Sequence, residues 1–127
     1  KTDFAVYRGG TWYINKSTGG TTITQFGLAD DKPVVGDYDA DGKADIAVFR
    51  PSTGVWYSLR SSDGGFSAAA FGLSSDVPAP GDYDGDGTND PAVYRDGTWY
   101  LQRSATGFTV QQFGLTADQP IPSAFVP

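Results

Sequence analysis

The sequence contains no cysteine, no histidine and no methionine among its 127 residues. Without cysteine, neither disulfides nor thiolate chemistry is available. Without histidine, the chain lacks the commonest general base and a common transition-metal ligand. No nucleophile with an adjacent base is visible, and the paired carboxylates all fall within two acidic loops. We therefore predict that the protein is not an enzyme.

Long apolar runs and basic clusters are also missing. No run is long enough to cross a membrane and no signal peptide is visible, so we predict no membrane insertion. The formal net charge is -6 and the nine Lys and Arg residues form no stripe, which argues against a nucleic-acid partner. Because no initiator Met is present, we expect a processed product or a piece of a longer chain. Aromatic residues at 14% favour a packed core over disorder.

Two acidic loops dominate the sequence, GDYDADGKAD at residues 36–45 and GDYDGDGTND at residues 81–90. Each places Asp at alternate positions, then a glycine that permits a sharp reversal, then one more Asp. Four carboxylates in nine residues repel one another unless a cation lies among them. Calcium takes six to eight oxygen ligands at about 2.3–2.6 Å in loose geometry, and such a loop can supply them. We predict two Ca²⁺ ions, one in each loop.

The pattern of these loops has two other interpretations. An EF-hand loop opens similarly but needs a Glu at position twelve and a helix on each side. Here position twelve is Val48 or Val93, and the flanks IAVF and PAVY are typical of strands. Asp-Gly runs also form simple hairpin turns. The second copy, with every Asp in the same register, favours calcium.

The loops belong to a repeat of about 42–45 residues, which is present nearly three times. Phe-Gly-Leu begins at Phe26, Phe71 and Phe113. In the second unit the pattern predicts four strands separated by Gly- and Pro-containing turns. They are Pro33–Tyr38, Ile46–Arg50, Val55–Arg60 and Phe66–Phe71. Runs such as IAVF are apolar on consecutive positions, which indicates a sheet covered on both faces. We predict an all-β fold of propeller-type blades, each with four antiparallel strands.

Each unit that has an acidic loop combines four features, namely the Phe-Gly motif, a stretch such as PVVGDY or PAPGDY, a DxDxDGxxD loop and the strand after the loop. This combination resembles the FG-GAP (VCBS-type) repeats of integrin α-chain heads and bacterial extracellular proteins. The resemblance implies a blade whose calcium loop joins its first two strands. It also implies an extracellular or cell-surface location. By position, the first ion would be bound by Asp37, Asp39, Asp41, Asp45 and the carbonyl of Lys43. The second would be bound by Asp82, Asp84, Asp86, Asp90 and the carbonyl of Thr88.

The two ends of the chain depart from the pattern. Residues 1–32 form a first repeat that lacks its first strand, and Asp3 matches the ninth loop position without the three preceding Asp. Residues 33–77 and 78–119 form the second and third repeats, with calcium loops 37–45 and 82–90. Residues 120–127 form a terminal first strand, predicted over Pro120–Val126, with Ser123 and Ala124 in place of Gly-Asp. We therefore expect two metal ions and not three.

The open ends are complementary, since the chain begins with a second strand, Phe4–Arg8, and finishes with a first strand. A three-bladed ring would be smaller than the usual four to eight blades. The chain is thus expected to be part of a larger propeller, or to associate with copies of itself in a ring or a head-to-tail filament by strand donation.

The repeated Trp-Tyr pairs have two interpretations. Trp12, Trp56 and Trp99 either pack in the core or form equivalent sugar-stacking sites. The arginines at the ends of the second strands, Arg8, Arg50 and Arg95, are expected to contact carboxylates or aromatic rings. We predict a calcium-binding extracellular β-repeat module with a structural, adhesion or self-assembly role. The alternative is a carbohydrate-binding lectin that uses the three tryptophans.

Overall fold

The computed structural model describes residues 3–103 and 107–121. Over these ranges the chain is all-β, with eleven strands in three separate antiparallel sheets that do not close into a barrel. The same ranges contain no helix, and hence none that could cross a membrane. The predicted all-β fold of blade-like sheets is confirmed.

Each sheet is built from strands that follow one another in the chain. The first sheet has three strands, β1 (Phe4–Arg8), β2 (Thr11–Asn15) and β3 (Thr21–Gln25). The second has β4 (Lys32–Pro33), β5 (Ile46–Arg50), β6 (Val55–Leu59) and β7 (Phe66–Ala70). The third has β8 (Val77–Pro78), β9 (Ala92–Arg95), β10 (Thr98–Arg103) and β11 (Gly107–Gln112).

The first strand of a blade is much shorter than predicted. The expected strand Pro33–Tyr38 is reduced to β4, which pairs Pro33 with Val48 of β5. Beyond it the pairing becomes irregular, with a hydrogen bond from the Val34 amide to the Ala47 carbonyl oxygen at 2.9 Å and an isolated bridge between Gly36 and Asp45. The Tyr38 amide donates to the Asp45 carboxylate at 2.8 Å, so a side chain takes the bond that a strand would make. The predicted strand Pro120–Val126 lies mostly outside the described residues, and its first two residues belong to no strand.

The turns explain why neighbouring strands pair within each sheet. Two of them are two-residue hairpins in which both central residues have positive φ, as such tight turns require. These residues are Gly9 (57°) and Gly10 (88°), and Asp96 (50°) and Gly97 (79°). A side chain at Gly10 would also meet the carbonyl oxygen of Gly27 at 2.6 Å. At Gly10, and likewise at Gly97, glycine is therefore favoured both by the turn and by the close approach of a later loop.

The core lies between the second and third sheets. Val34, Ala47, Phe49 and Trp56 of the second unit pack with Val93 of β9 in one cluster. Three consecutive residues of β5, from Ala47 to Phe49, are at most 2% exposed. This burial on both faces agrees with the consecutive apolar pattern of the strand.

β1 has nearly the same sequence as β5 but is largely exposed. Val6 is 54% exposed, whereas its counterparts Val48 and Val93 are fully buried. The counterparts lie against Gly27 and Gly72, in the loops that follow β3 and β7 of the preceding unit, and no such loop of the described residues precedes β1.

Candidate metal centre

The structure gathers three carboxylates of each acidic loop. In both loops one carboxylate oxygen from each of three Asp lies within 4.8 Å of the other two. The first cluster is Asp37, Asp39 and Asp41, and the second is Asp82, Asp84 and Asp86. Six of the ten residues predicted as ligands are therefore in two clusters of the same kind.

Backbone amides hold the first loop in this shape. The Asp37 carboxylate accepts the amides of Asp41 at 3.3 Å and Gly42 at 2.9 Å. The Asp41 carboxylate accepts the Lys43 amide at 2.9 Å. Gly42 has a φ of 84°, which permits this reversal. Local side-chain to backbone hydrogen bonds thus set the turn that brings the three carboxylates together.

The second loop repeats the geometry, although its sequence differs at three of the ten positions. Asp82 accepts the amides of Asp86 at 3.1 Å and Gly87 at 2.9 Å, and Asp86 accepts the Thr88 amide at 2.9 Å. The fourth loop position has positive φ in both loops, 63° at Ala40 and 74° at Gly85. Glycine adopts this conformation freely, and alanine adopts it at a cost.

The ninth Asp of each loop is placed differently. Asp45 and Asp90 are buried, with exposures of 1% and 0%. Asp45 accepts the Tyr38 amide at 2.8 Å and the Ser61 amide at 2.7 Å, while Asp90 accepts the Tyr83 amide at 2.8 Å. They join the two ends of each loop and lie outside the three-carboxylate clusters.

Asp3, which matches the ninth loop position in the first unit, indicates a structural role for this Asp that does not depend on a metal. Its carboxylate accepts the Ser17 amide at 2.7 Å, and this bond lowers the pKa of Asp3. The contact is the counterpart of the bond from Ser61 to Asp45, yet the first unit has no acidic loop. In the first unit the carboxylate therefore connects the residue before β1 to the turn between β2 and β3. In the second unit it connects the residue before β5 to the turn between β6 and β7.

The serines after β6 contribute to the first cluster and were not found from the sequence. The Ser62 hydroxyl donates to Asp39 at 2.6 Å, and the Ser61 hydroxyl donates to Asp41 at 3.0 Å. The hydrogen bond from Ser62 is the largest cause that lowers the pKa of Asp39. These serines lie about 20 residues further along the chain, so no local motif connects them to the loop.

The first loop also contacts the second loop directly. The Asn89 amide donates to the carbonyl oxygen of Asp37 at 2.6 Å. A side chain at Gly36 would overlap the Asn89 side chain, which explains glycine at this position. The first loop is therefore part of the joint between the second and third units.

The tyrosine inside each loop anchors it to the core. The hydroxyls of Tyr38 and Tyr83 donate to the carbonyl oxygens of Val34 and Ala79, both at 2.6 Å. Burial and the neighbouring Asp90 raise the pKa of Tyr83 to about 12, and burial raises the pKa of Tyr38 further. Both tyrosines therefore remain neutral donors, so they add no charge to the loops.

The donor set suits a hard cation. The clustered ligand atoms are all carboxylate oxygens, and the chain has neither imidazole nor thiolate to offer. Oxygen-only sites with several carboxylates match the preference of calcium and not that of zinc. For Lys43 and Thr88 the observed contacts are made by their amides, and ligation by their carbonyls stays a prediction.

The tryptophans occupy packing positions. Trp12 and Trp56 are 3% and 5% exposed. The indole N–H groups of Trp12, Trp56 and Trp99 donate to the carbonyl oxygens of Phe26, Phe71 and Phe113 at 2.8–3.0 Å. Sugar stacking requires an accessible ring face, so the burial of Trp12 and Trp56 weighs against the lectin hypothesis. Carbohydrate binding by these residues stays a prediction.

Comparison with protein families supports the repeat. Residues 37–93 match the family model of the FG-GAP-like repeat. The matched segment begins at the first Asp of one acidic loop and ends three residues after the last Asp of the other, so it contains both carboxylate clusters. Comparison with curated proteins and with solved structures finds no match.

Proposed function

On the premise that residues 37–93 are an FG-GAP-like repeat, we propose that the chain is a calcium-binding β-repeat module with a structural role in adhesion or assembly outside the cell. The observation that carries this proposal is the presence of two carboxylate clusters with the same internal geometry at the same place in successive units. A single acidic turn is common on protein surfaces, whereas here both units keep all three clustered Asp although other loop positions differ, which favours a shared ligand.

In this proposal, Asp37, Asp39 and Asp41 bind one ion and Asp82, Asp84 and Asp86 bind the other. The buried Asp45 and Asp90 and the carbonyls of Lys43 and Thr88 complete the two ligand sets. A carboxylate oxygen that accepts an amide N–H retains a second lone pair, so the observed contacts of Asp45 are compatible with ligation.

Calcium in this position has a structural effect. The cation neutralises the mutual repulsion of the carboxylates and so stabilises the folded loop. In the first loop the effect extends to the second loop, because the backbone carbonyl oxygen of Asp37 accepts the backbone N–H of Asn89. For an extracellular module of this kind we expect dissociation constants on the order of 10⁻⁴ to 10⁻³ M, which suits calcium levels outside cells.

Isothermal titration calorimetry tests the binding directly. We expect two calcium ions per chain, one in an Asp41→Ala variant and one in an Asp86→Ala variant. Magnesium should bind much more weakly, because it demands near-ideal octahedral geometry. An Asp30→Ala variant removes an exposed carboxylate outside the clusters and serves as the control. Absence of calcium binding at about 10 mM, well above the expected dissociation constants, would contradict the proposal.

A further inference from the structure

The joints between successive sheets are closed by the same ion pair. After β3, Asp31 accepts two hydrogen bonds from Arg50 of β5, both at 2.9 Å. After β7, Asp76 accepts two from Arg95 of β9, both at 2.6 Å. The side chains of Asp31 and Asp76 are 1% and 0% exposed. Each joint therefore contains a bidentate pair between a buried carboxylate of one unit and an arginine of the next.

The same arginines also contact aromatic rings. The guanidinium groups of Arg50 and Arg95 each lie 4.5 Å from the ring centroid of a tyrosine in the same sheet, Tyr57 and Tyr100. The predicted contacts of these arginines with carboxylates and aromatic rings are thus confirmed. Stacking fixes the plane of the guanidinium and reduces the entropy lost on pairing.

The residues after each Asp pair with the next sheet in one register. Lys32 and Pro33 lie opposite Phe49 and Val48. Val77 and Pro78 lie opposite Tyr94 and Val93. The joint therefore consists of an Asp, a two-residue strand that ends in proline, and the second strand of the following sheet.

Each end of the described structure presents one half of this joint. At one end, Arg8 stacks on Tyr13 at 5.0 Å, as its counterparts do, but no carboxylate of the described residues pairs with it. At the other end, the Asp118 carboxylate accepts the Leu115 amide at 2.8 Å, as Asp31 accepts that of Leu28. No arginine within residues 3–103 and 107–121 pairs with Asp118, which is exposed.

The apolar surfaces at the two ends match the same scheme. Val6 is 54% exposed, whereas Val48 and Val93 are covered by the preceding unit. Phe113 is 76% exposed, whereas its counterparts Phe26 and Phe71 are half-buried in the internal joints. Because both surfaces are exposed in the same molecule, they do not cover each other within one chain.

We propose that the Asp118 end of one copy binds the β1 face of a second copy and forms a third joint of the same kind. Asp118 pairs with Arg8 of the second copy, and Gln119 and Pro120 lie opposite Tyr7 and Val6 of that copy. The occupant is a second copy because its charges, apolar side chains and proline strand supply the parts that the internal joints use. The inference rests on the assembly role proposed above but requires no bound calcium.

The joint is heterologous, since two different surfaces meet. Such an interface leaves one free surface of each kind on a dimer, so association continues until a ring closes or a filament grows. The weight-average mass should therefore rise with concentration beyond that of a dimer.

Charge exchange tests the ion pair by sedimentation velocity across a concentration series. Asp118→Arg and Arg8→Asp each place like charges in the joint, and each variant alone should associate at least about tenfold more weakly than wild type. An equimolar mixture should recover association, because every joint between the two variants then has opposite charges. Asp30→Arg makes the same charge change outside the joint and should associate like wild type. Association of either single variant at wild-type strength, or failure of the mixture to recover it, would overturn the proposal.

Cross-linking tests the register independently of charge. The chain has no native cysteine, so Val6→Cys and Pro120→Cys introduce one thiol each. A mixture of these variants should form a disulfide-linked dimer under mild oxidation much faster than a mixture of Val6→Cys and Asp30→Cys. Equal rates in the two mixtures would overturn the register.

The same measurements separate this inference from the calcium proposal. If the chain binds two calcium ions but wild type stays monomeric up to about 1 mM, well above the dissociation constant of a weak joint, the joint is wrong and the ion proposal stands. If association occurs equally in calcium and in chelator while calorimetry detects no ion, the joint stands and the ion proposal fails.

Discussion

Removal of one carboxylate from one cluster should halve the stabilisation that calcium provides. Asp41→Ala leaves the second cluster intact, and Asp86→Ala leaves the first intact. The double variant should lose the calcium response entirely. Asp30→Ala, which removes an exposed carboxylate outside both clusters, should respond like wild type.

The expected magnitude follows from mass action. With dissociation constants on the order of 10⁻⁴ to 10⁻³ M, about 10 mM calcium stabilises the folded state by about 1.4–2.7 kcal/mol per site. For a chain of this length, 1 kcal/mol changes Tm by about 4 °C. Wild type should therefore melt about 12–22 °C higher in calcium than in chelator, and each single variant about 6–11 °C higher.

Thermal melts followed by circular dichroism, at one low protein concentration, measure these differences. In chelator the variants should melt close to wild type, because the loss of two local hydrogen bonds of Asp41 is offset by relief of carboxylate repulsion. A full calcium response in the double variant would refute the reasoning, since the clusters would then not be the binding sites.

Three further predictions concern single positions. Asp76→Asn should destabilise the chain by about 2 kcal/mol at neutral pH, because the buried pair loses its charge. Burial raises the pKa of Asp76, but its hydrogen bonds with Arg95 and the Leu73 amide outweigh burial, so the pKa is lowered overall. In denaturation series at decreasing pH, the stability difference between Asp76→Asn and wild type should therefore shrink below about pH 4. A difference that widened would contradict this prediction. Positions 40 and 85 both have positive φ, which glycine adopts more easily than alanine. In urea denaturation of the protein in chelator, Ala40→Gly should therefore raise the free energy of unfolding by about 1 kcal/mol, and Gly85→Ala should lower it by a similar amount. Changes of the same sign in the two variants would refute the strain argument. Gly36→Ala should lower Tm because the added side chain would overlap the Asn89 side chain. The double variant Gly36→Ala with Asn89→Ala should recover part of the lost Tm. If it recovered none, overlap with Asn89 would be excluded as the cause.

Much of the local structure follows from the order of residues. β1 and β5 have the predicted bounds, because consecutive apolar residues between turn signals suffice to define them. The gathering of Asp37, Asp39 and Asp41 also follows locally, since alternate side chains around a glycine turn face the same centre.

The first strand was predicted too long for a physical reason. The apolar run from Pro33 to Val35 indicates a strand, but Val35 is 50% exposed and the regular ladder gives way to an isolated bridge at Gly36. Buried Asp45 takes the Tyr38 amide, and this competition is invisible in the local sequence.

The repeat, the all-β class and the two carboxylate clusters follow from the sequence alone, because each depends on residues close together in the chain. Which residues are covered, and which are paired across units, depends on the packing of distant segments. Ser62 reaches Asp39, and Arg50 reaches Asp31, over about 20 residues. Val6 and Val48 have similar neighbours in sequence, yet only Val48 has a sheet packed against it. The burial of a strand depends on which other segments pack against it, and the strand's own residues do not specify those segments.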